Sequence, residues 1–230
     1  MADKATAPED PALPARHRRR SIGRGLRWFG LRVLLLMLAL VGLYGLINPP
    51  TTWTIAREAT YPRQWTDLDE MAPVVPRAVV AAEDANFCLH WGFDMAEIRK
   101  VIASGSSRGA STLTQQTAKN VYLWQGRSWV RKLLETAYTP MIEALWSKRR
   151  ILEVYLNVAE FGPGVFGIHA AADYHFGTTP DALSPAQAAR LAAILPAPKT
   201  RGTNRGTARS RAIADGAETI RRDGRAACFQ

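Results

Sequence analysis

The sequence predicts an all-α fold: a mainly helical domain preceded by one transmembrane helix. Capping signatures mark three helix starts, and the segment Met141–Ala159 repeats its apolar residues with a helical period. No segment shows the strict alternation of apolar and polar residues expected of a half-buried strand. A length of 230 residues is enough for one domain with a sizeable core, an anchor and tails.

The N-terminal region predicts a membrane anchor. Residues 1–27 are rich in Pro and Arg and are expected to form a disordered cytoplasmic tail. The apolar stretch Val33–Ile47 has 15 residues, and starting at Trp28 extends it to the length of about 20 that a spanning helix needs. A cleaved signal peptide is the alternative, but the residues after Gly45 offer no small-x-small cleavage site. We therefore predict an uncleaved signal anchor at residues 28–47.

The charge distribution argues against a nucleic-acid partner. The formal net charge is +10, yet residues 1–50 and 199–230 each carry eight Lys/Arg against three Asp/Glu, and residues 51–198 are balanced. Basic tails on a neutral body suit an anionic membrane surface better than a phosphate-binding groove. The basic residues before the anchor predict a cytoplasmic N-terminus, with residues 51–230 on the outer side of the cytoplasmic membrane.

Local chemistry predicts several helices in the remainder of the chain. The three capped starts are Asp94 with Glu97, Thr112 with Gln115, and Ser184 with Pro185 and Gln187. Met141–Ala159 is expected to be one helix that buries Ile142, Leu145, Leu152, Leu156 and Ala159. The Gly- and Pro-rich stretch Phe161–Gly167 is expected to end it.

The two cysteines, Cys88 and Cys228, leave two interpretations open. A single bridge is possible in an oxidising compartment. The simpler interpretation, which we favour from the sequence, is a small buried Cys88 and a free thiol at Cys228.

The first group of chemistry-bearing residues follows the apolar run Ala78–Ala82, so that Glu83 emerges from the predicted core. If the helix continues, Glu83, Phe87 and His90 share one face. A carboxylate beside apolar and aromatic groups has a raised pKa, which suits a general acid or base. Considered alone, the segment is more simply explained if Glu83 and Asp84 mark a solvated helix end.

A second group lies in residues 108–120. A glycine, hydroxyls and backbone N–H donors at a helix start form an anion site, and Gln116, Lys119 and Asn120 share one helical face. The alternative, a Ser/Thr-capped amphipathic helix, leaves unexplained why so many residues are polar and so few apolar.

A third group, Arg127, Arg131 and Glu135, is spaced four residues apart. Alone it would be a surface salt-bridge stripe. His90, His169 and His175 lack the spacing of a metal site, so we read them as structural and predict no metal ligands.

In order along the chain, these segments resemble the peptidoglycan glycosyltransferase (transglycosylase) family, the module shared with bifunctional class A penicillin-binding proteins. Five motifs between Val75 and Pro198 carry the resemblance: Glu83-Asp84-x-x-Phe87-x-x-His90, Gly109-x-Ser111-Thr112-Leu113-x-Gln115-Gln116-x-x-Lys119-Asn120, Arg131-Lys132-x-x-Glu135, Arg150-Ile151-Leu152-Glu153-x-Tyr155-Leu156-Asn157, and Gly162-x-Gly164-x-x-Gly167. The tract Gln115–Asn120 and the segment Trp146–Gly167 are most similar to the monofunctional biosynthetic branch. The chain shows no penicillin-binding Ser-x-x-Lys and Lys-Thr-Gly set, so a monofunctional enzyme is expected.

The resemblance implies a lysozyme-like helical fold with a small membrane-proximal jaw. It implies a lipid-pyrophosphate-linked glycan chain as donor and lipid II as acceptor, with inverting transfer to the 4-hydroxyl of the acceptor N-acetylglucosamine. Glu83 would be the general base, and Glu135 would hold the cations or the donor in place. The implied substrate-binding residues are Ser111, Thr112, Gln116, Lys119, Asn120, Arg127 and Arg131. A divalent cation, Mg²⁺ or Mn²⁺, is a candidate cofactor at the pyrophosphate, and other cell-wall synthesis or division proteins are candidate partners.

Two departures from the family pattern affect the expected boundaries. The loop Val101–Arg108 is short, which predicts a trimmed jaw. Residues 199–230 match only loosely, through Arg209-Ser210-Arg211, so we expect the glycosyltransferase domain at 51–198 and a basic C-terminal segment that could close it.

Two other function classes are alternatives to a glycosyltransferase. A glycan-cleaving enzyme, such as a lysozyme-like hydrolase or a lytic transglycosylase, would also use a glutamate but would not need Lys119, Arg127 and Arg131. A non-catalytic membrane scaffold or nucleic-acid binder would use the basic tails, but the neutral body opposes it.

Overall fold

The structure, a computed structural model, describes residues 16–105, 109–126, 128–204 and 206–230, with only the backbone at residues 16–24 and 26. The chain divides into two compact units, residues 1–40 and 41–230. Residues 1–15 of the predicted disordered tail lie outside the described residues. Residues 16–27 are helical rather than disordered, because arginine is a good helix former and a helix that already exists extends at little cost.

The N-terminal helix α1 spans Arg16–Leu46. Its segment Arg27–Leu46 has 20 residues with a mean hydropathy of 2.1, which makes it long and apolar enough to cross a membrane. Within the described residues it is the one helix that meets this criterion. Its limits differ by one residue at each end from the predicted span 28–47.

The remaining helices confirm the all-α prediction. They are α2 (Trp53–Glu58), α3 (Val74–Glu83), α4 (Met95–Ser104), α5 (Leu113–Tyr122), α6 (Trp129–Leu145), α7 (Lys148–Val158), α8 (Ile168–Phe176), α9 (Pro185–Ile194) and α10 (Ala208–Arg222). Short 3-10 turns occur at Leu68–Glu70 and Pro180–Ala182. The strands β1 (Glu160–Gly162) and β2 (Val165–Phe166) form a small antiparallel hairpin.

The hairpin was not expected, because two such short strands leave no room for a recognisable alternation. Its turn depends on Gly164, which has a φ of +71°. A Cβ there would lie 2.2 Å from Thr60 Oγ1 and 2.8 Å from the Glu58 carbonyl oxygen. Only glycine therefore fits this close approach to the end of α2.

All three predicted helix starts are confirmed. Asp94 accepts from the Glu97 backbone N–H, and Thr112 and Ser184 each form a complete capping box, with Gln115 and Gln187 respectively. These caps depend on residues three apart, so local sequence is enough to predict them.

The prediction of one continuous helix over Met141–Ala159 is wrong. Helix α6 ends at Leu145, and α7 begins at Lys148 with Ser147 as its cap. Ser147 accepts from the Arg150 N–H, which satisfies a donor that a continuous helix would have bonded elsewhere. Leu145, predicted to be buried, is 51% exposed; it is the last residue of α6 and shares no helix with Leu152.

The core of the second unit has two main packing groups. Helix α3 packs against α9 and α10, and α5 packs against α6 and α7. The residues at their centre are fully buried: Phe87, Leu113, Ile142, Ile151, Tyr155 and Leu191. Helix α10 contributes Ile213, Ala217 and Ile220, so much of the C-terminal basic segment is packed onto α3 and α9.

Helix α4 is the loosely packed element. None of its residues is fully buried, and its apolar side chains Met95 and Ile102 are exposed. Trp129 and Leu133, at the start of α6, are exposed as well. The trimmed jaw was predicted at the loop Val101–Arg108; α4 ends within it at Ser104, and residues 106–108 lie outside the described residues.

The favoured interpretation of the cysteines is also wrong, because Cys88 and Cys228 are joined by a disulfide bond, with their Cα atoms 5.6 Å apart. The two residues are 140 positions apart, so no local pattern brings them together. The packing of α10 on α3 does so, because Cys228 follows α10 and Cys88 follows α3.

The last turn of α1 belongs to the second unit and is bound to the α6–α7 corner. The Trp146 indole N–H donates to the Val41 carbonyl at 2.7 Å. The Arg150 guanidinium donates to the carbonyls of Tyr44 at 3.0 Å and Ile47 at 2.7 Å. Carbonyls at a helix C-terminus lack intrahelical partners, and here side chains of the domain supply them.

Candidate active site

Glu83 is the last residue of α3, and the buried residues Val75, Ala78, Val79 and Val80 fix that helix in the core. Its side chain is only 11% exposed. Oε2 accepts a hydrogen bond from Gln116 Nε2 at 3.0 Å. Oε1 is buried and accepts no hydrogen bond from the described residues; its nearest cation is Arg209 Nη2 at 3.8 Å. One oxygen of this carboxylate therefore has no hydrogen-bond donor among the described residues.

Burial raises the pKa of Glu83, because the charged form loses its hydration. The hydrogen bond from Gln116 and the positive charges of Arg209 and Lys119 lower it, but they do not cancel the effect of burial. The group is thus a carboxyl of raised basicity with cations nearby, as a general base requires.

The predicted shared face of Glu83, Phe87 and His90 does not exist. The helix ends at Glu83, and Asp84 leaves helical geometry. Asp84 Oδ1 pairs with His90 Nε2 at 2.8 Å, and its Oδ2 accepts from the Leu113 N–H at 2.9 Å. The Leu113 N–H belongs to the first turn of α5, where helix donors lack partners. Asp84 therefore ties the loop after Glu83 to the start of α5, and His90 bonds to it within that loop.

Helix α5 carries the polar groups that face Glu83. The Gln116 amide is held in one orientation, because its Oε1 accepts from the buried Tyr155 hydroxyl at 3.1 Å while its Nε2 donates to Glu83. One turn further on, Lys119 lies between two carboxylates, Glu83 and Glu135, both of which raise its pKa. Burial has the larger effect and lowers the pKa of Lys119.

Two cavities meet at this hydrogen bond. The first, about 230 Å³, is lined by Glu83 together with Asn86, Lys100 and the segment Gly109–Thr112. The second, about 220 Å³, is lined by Gln116, Lys119, Asn120 and Tyr155 together with β1 and the residues after α9. Glu83 lines the first cavity and its hydrogen-bond partner Gln116 lines the second, so this bond lies between the two cavities.

Glu135 lies at the centre of a compact ion cluster. Arg131 Nη1 lies 2.6 Å from its Oε2, and Lys132 Nζ pairs with its Oε1. Lys132 Nζ also donates to Ser111 Oγ at 3.2 Å, so the cluster reaches the wall of the first cavity. Glu135 is buried, and it fixes two cations beside the site.

The structure places the other predicted substrate-binding residues at different points around the site. Ser111 lines the first cavity, and Asn120 lines the second, where it accepts from Gln125 Nε2. The Thr112 hydroxyl is used by the fold, since it donates to the Gly92 carbonyl at 2.7 Å and accepts from the Gln115 N–H. Arg131 is bonded to Glu135 and to the Gly126 carbonyl. Arg127 lies outside the described residues.

Two residues near the site were missing from the predicted set. Lys132 stood inside the third motif, next to Arg131, but only the four-residue spacing was used to select site residues. Arg209 comes from α10, and nothing local marks it as a neighbour of Glu83. Its sole sequence signal was the loose family match at Arg209-Ser210-Arg211.

Asp84, His90 and Asp94 bring three potential metal-ligating atoms within 4.8 Å of one another. Their carboxylate oxygens are already used. Those of Asp84 bond to His90 and Leu113, and those of Asp94 accept from the Glu97 N–H and from Asn86 Nδ2. We therefore interpret the cluster as a hydrogen-bond network that holds the loop.

Comparison with known proteins identifies the family of this chain. The family model described as Transglycosylase matches residues 51–219. A biosynthetic peptidoglycan transglycosylase of Jannaschia sp. (strain CCS1) is 52% identical over 225 residues, covering 94% of this chain and 92% of the relative. Proteins of the same name from Xanthomonas campestris pv. campestris (strain B100) and Pseudomonas entomophila (strain L48) are 48% and 46% identical, covering 82% and 78% of this chain and 82% and 80% of the relatives. The chain belongs to the transglycosylase family.

Proposed function

We propose that this protein polymerises lipid II into linear peptidoglycan strands on the outer side of the cytoplasmic membrane, anchored by α1. The observation that carries the proposal is the largely buried Glu83 carboxylate, which lines one cavity and bonds to Gln116, a residue that lines a second cavity. Two neighbouring cavities suit a polymerase, because it holds a growing donor chain and an incoming acceptor together. The names of the relatives and the family match support the same reaction.

In this reaction Glu83 accepts the proton of the acceptor 4-hydroxyl. The oxygen forms a bond to the anomeric carbon of the donor N-acetylmuramic acid from the face opposite the leaving group, so the configuration inverts. The bond from that carbon to the pyrophosphate oxygen breaks, and its electron pair departs with the lipid pyrophosphate. The transition state resembles an oxocarbenium ion, which nearby negative charge stabilises.

The leaving group needs charge neutralisation more than it needs a proton. Lys119 lines the second cavity. Glu135 holds Arg131 and Lys132 close enough to Lys119 to affect its pKa, so preorganised cations can receive the developing charge. Arg127 is proposed as a further cation because it precedes Arg131 by four residues. Both oxygens of Glu135 already bond to cationic side chains. In this proposal these side chains neutralise the leaving group, and Mg²⁺ or Mn²⁺ stays a candidate cofactor at the pyrophosphate.

The test uses full-length protein in detergent with labelled lipid II. The wild type should make polymer that lysozyme digests. Glu83→Gln should lower the rate by about 10²- to 10⁴-fold, the usual contribution of a general base. The matched control is Glu218→Gln, which makes the same chemical change at a half-exposed carboxylate on α10 and should keep the rate.

Two results would contradict the proposal. A folded wild type that makes no polymer but shortens preformed glycan would show a glycan-cleaving enzyme instead. Full activity in Glu83→Gln would leave the function standing and remove Glu83 as the base.

A further inference from the structure

The last eight residues of the chain, Asp223–Gln230, lie against the loop that follows Glu83. We call them the C-terminal clasp, and we call Asp84–Gly92 the catalytic loop. The Cys88–Cys228 disulfide joins the two covalently. The Phe229 ring lies 6.5 Å from the Phe87 ring, and both rings are fully buried. The covalent bond and the aromatic contact are adjacent in both segments.

Polar contacts extend the clasp on both sides of the disulfide. Arg225 Nη1 donates to the Ala85 carbonyl at 3.2 Å, two residues after Glu83. Arg149 Nη1, on α7, donates to the Phe229 carbonyl at 3.2 Å. The clasp therefore connects the catalytic loop to α7 and to the end of α10. The first half of the loop also contacts α5 through Asp84 and the cap of α4 through Asn86, and the clasp adds a covalent tie at Cys88.

The catalytic loop sets the position of the base through short connections. Glu83 directly precedes it, and Asp84, its first residue, bonds to His90 within the loop and to Leu113 on α5. Ala85 and Cys88 are only two and five residues after Glu83. A displacement of the loop at either residue is therefore transmitted through the backbone to the Glu83 carboxylate. Misplacing a catalytic group by about 1 Å can cost about 10²-fold in rate.

We propose that the C-terminal clasp is an oxidation-dependent positioning element, which fixes the catalytic loop and Glu83 in the working geometry once Cys88 and Cys228 are joined. This rests on the proposed role of Glu83 as the base. Both cysteines are half-buried. The thiols would be oxidised outside the cytoplasm, where disulfides persist.

The oxidation is a thiol–disulfide exchange with a dithiol/disulfide protein as donor. One cysteine thiolate attacks the donor disulfide and forms a mixed disulfide, with the electron pair of the broken bond leaving on the donor's other sulfur. The second cysteine, as its thiolate, displaces the donor. The donor departs as a dithiol, having taken up the two electrons and two protons that the cysteines lose.

The experiment compares oxidised and dithiothreitol-reduced full-length wild type, with the double variant Cys88→Ser/Cys228→Ser as the control for the reductant itself. Reduction should slow lipid II polymerisation by about 10- to 100-fold, chiefly in kcat, and reoxidation should restore the rate. The double variant should be slow in both conditions and unaffected by reductant. Far-UV circular dichroism at the assay temperature checks that each sample is folded.

Two further readouts separate positioning from general loss of structure. The acid limb of the kcat/KM profile should move to lower pH on reduction, since a loosened loop admits water and removes part of the burial that raises the Glu83 pKa. Hydrogen exchange of residues 84–92 should accelerate on reduction, and this readout needs no activity. If oxidised wild type makes no polymer, the proposed function fails while exchange still tests the clasp. Equal rates, pH profiles and exchange with and without the bond would overturn the clasp proposal.

Discussion

Replacing Asp84 by Asn should destabilise the domain although the two side chains have almost the same shape. Asp84 is buried, and its two oxygens bond to His90 Nε2 and to the Leu113 N–H. A carboxylate can only accept, so His90 carries its proton on Nε2. Its Nδ1 is buried and has no partner among the described residues.

The magnitude follows from what an amide can offer in this position. One Asn atom can still accept from Leu113, but this bond changes from charge-assisted to neutral, a loss of about 1 kcal/mol. The NH₂ group then faces His90 Nε2. The Asn NH₂ and the His90 Nε2–H would then be two donors facing each other. If the imidazole instead moves its proton to Nδ1, that N–H is buried without an acceptor, which costs about 1–3 kcal/mol. The sum is about 2–4 kcal/mol, a large part of the 5–15 kcal/mol that stabilises a typical domain.

Urea-induced unfolding of the full-length protein in detergent, followed by tryptophan fluorescence, measures the difference. Asp215→Asn makes the same change on the exposed face of α10 and should stay within about 0.5 kcal/mol of wild type. If Asp84→Asn is as stable as Asp215→Asn, the hydrogen-bond reasoning for the catalytic loop is wrong.

Three further outcomes are expected. The acid limb of the kcat/KM profile should lie above pH 4.5, because burial raises the Glu83 pKa. Gln116→Leu should move this limb to still higher pH, because it removes a hydrogen bond that lowers the Glu83 pKa. An acid limb below pH 4.5 in the wild type would contradict the assignment of Glu83 as the base. A carboxyl whose pKa is higher in the folded than in the unfolded state stabilises the protein less as the pH rises above its unfolded-state pKa. Glu83→Gln should therefore gain unfolding free energy relative to wild type as the pH rises from about 4.5, measured by urea titrations at each pH; a constant difference would count against it. Gly167→Ala should cost about 2–4 kcal/mol, since its φ of +84° is joined by a 2.9 Å approach of the new Cβ to the Asn157 carbonyl, whereas Gly177→Ala, with nothing within 4 Å, should cost about 1–2 kcal/mol in the same assay.

The sequence predicted those features that depend on neighbouring residues. The caps at Asp94, Thr112 and Ser184 require partners three positions away, and the apolar run before Glu83 was enough to place that carboxylate at the edge of the core. Periodicity could not reveal the break after Leu145, because the apolar residues of α6 and α7 happen to continue one helical count across it.

What could not be predicted depends on contacts between distant parts of the chain. Arg209 approaches Glu83, and Cys228 reaches Cys88, only because α10 packs on α3. The partner of His90 likewise depended on how the chain turns after the helix ends. Each of these is set by tertiary packing, which a single sequence does not encode in any local pattern.

The bonds from Trp146 and Arg150 to the last turn of α1 set a lower limit on how short a soluble version of the domain can be. A version that starts at Pro49 would lack the carbonyl acceptors of an indole N–H and a guanidinium that are both largely buried. Each donor left without water or a partner costs about 1–3 kcal/mol. Retaining residues from Val41 onward keeps these acceptors but leaves an apolar helical turn uncovered. A start at Pro49 therefore favours solubility, whereas a start at Val41 favours the integrity of the domain.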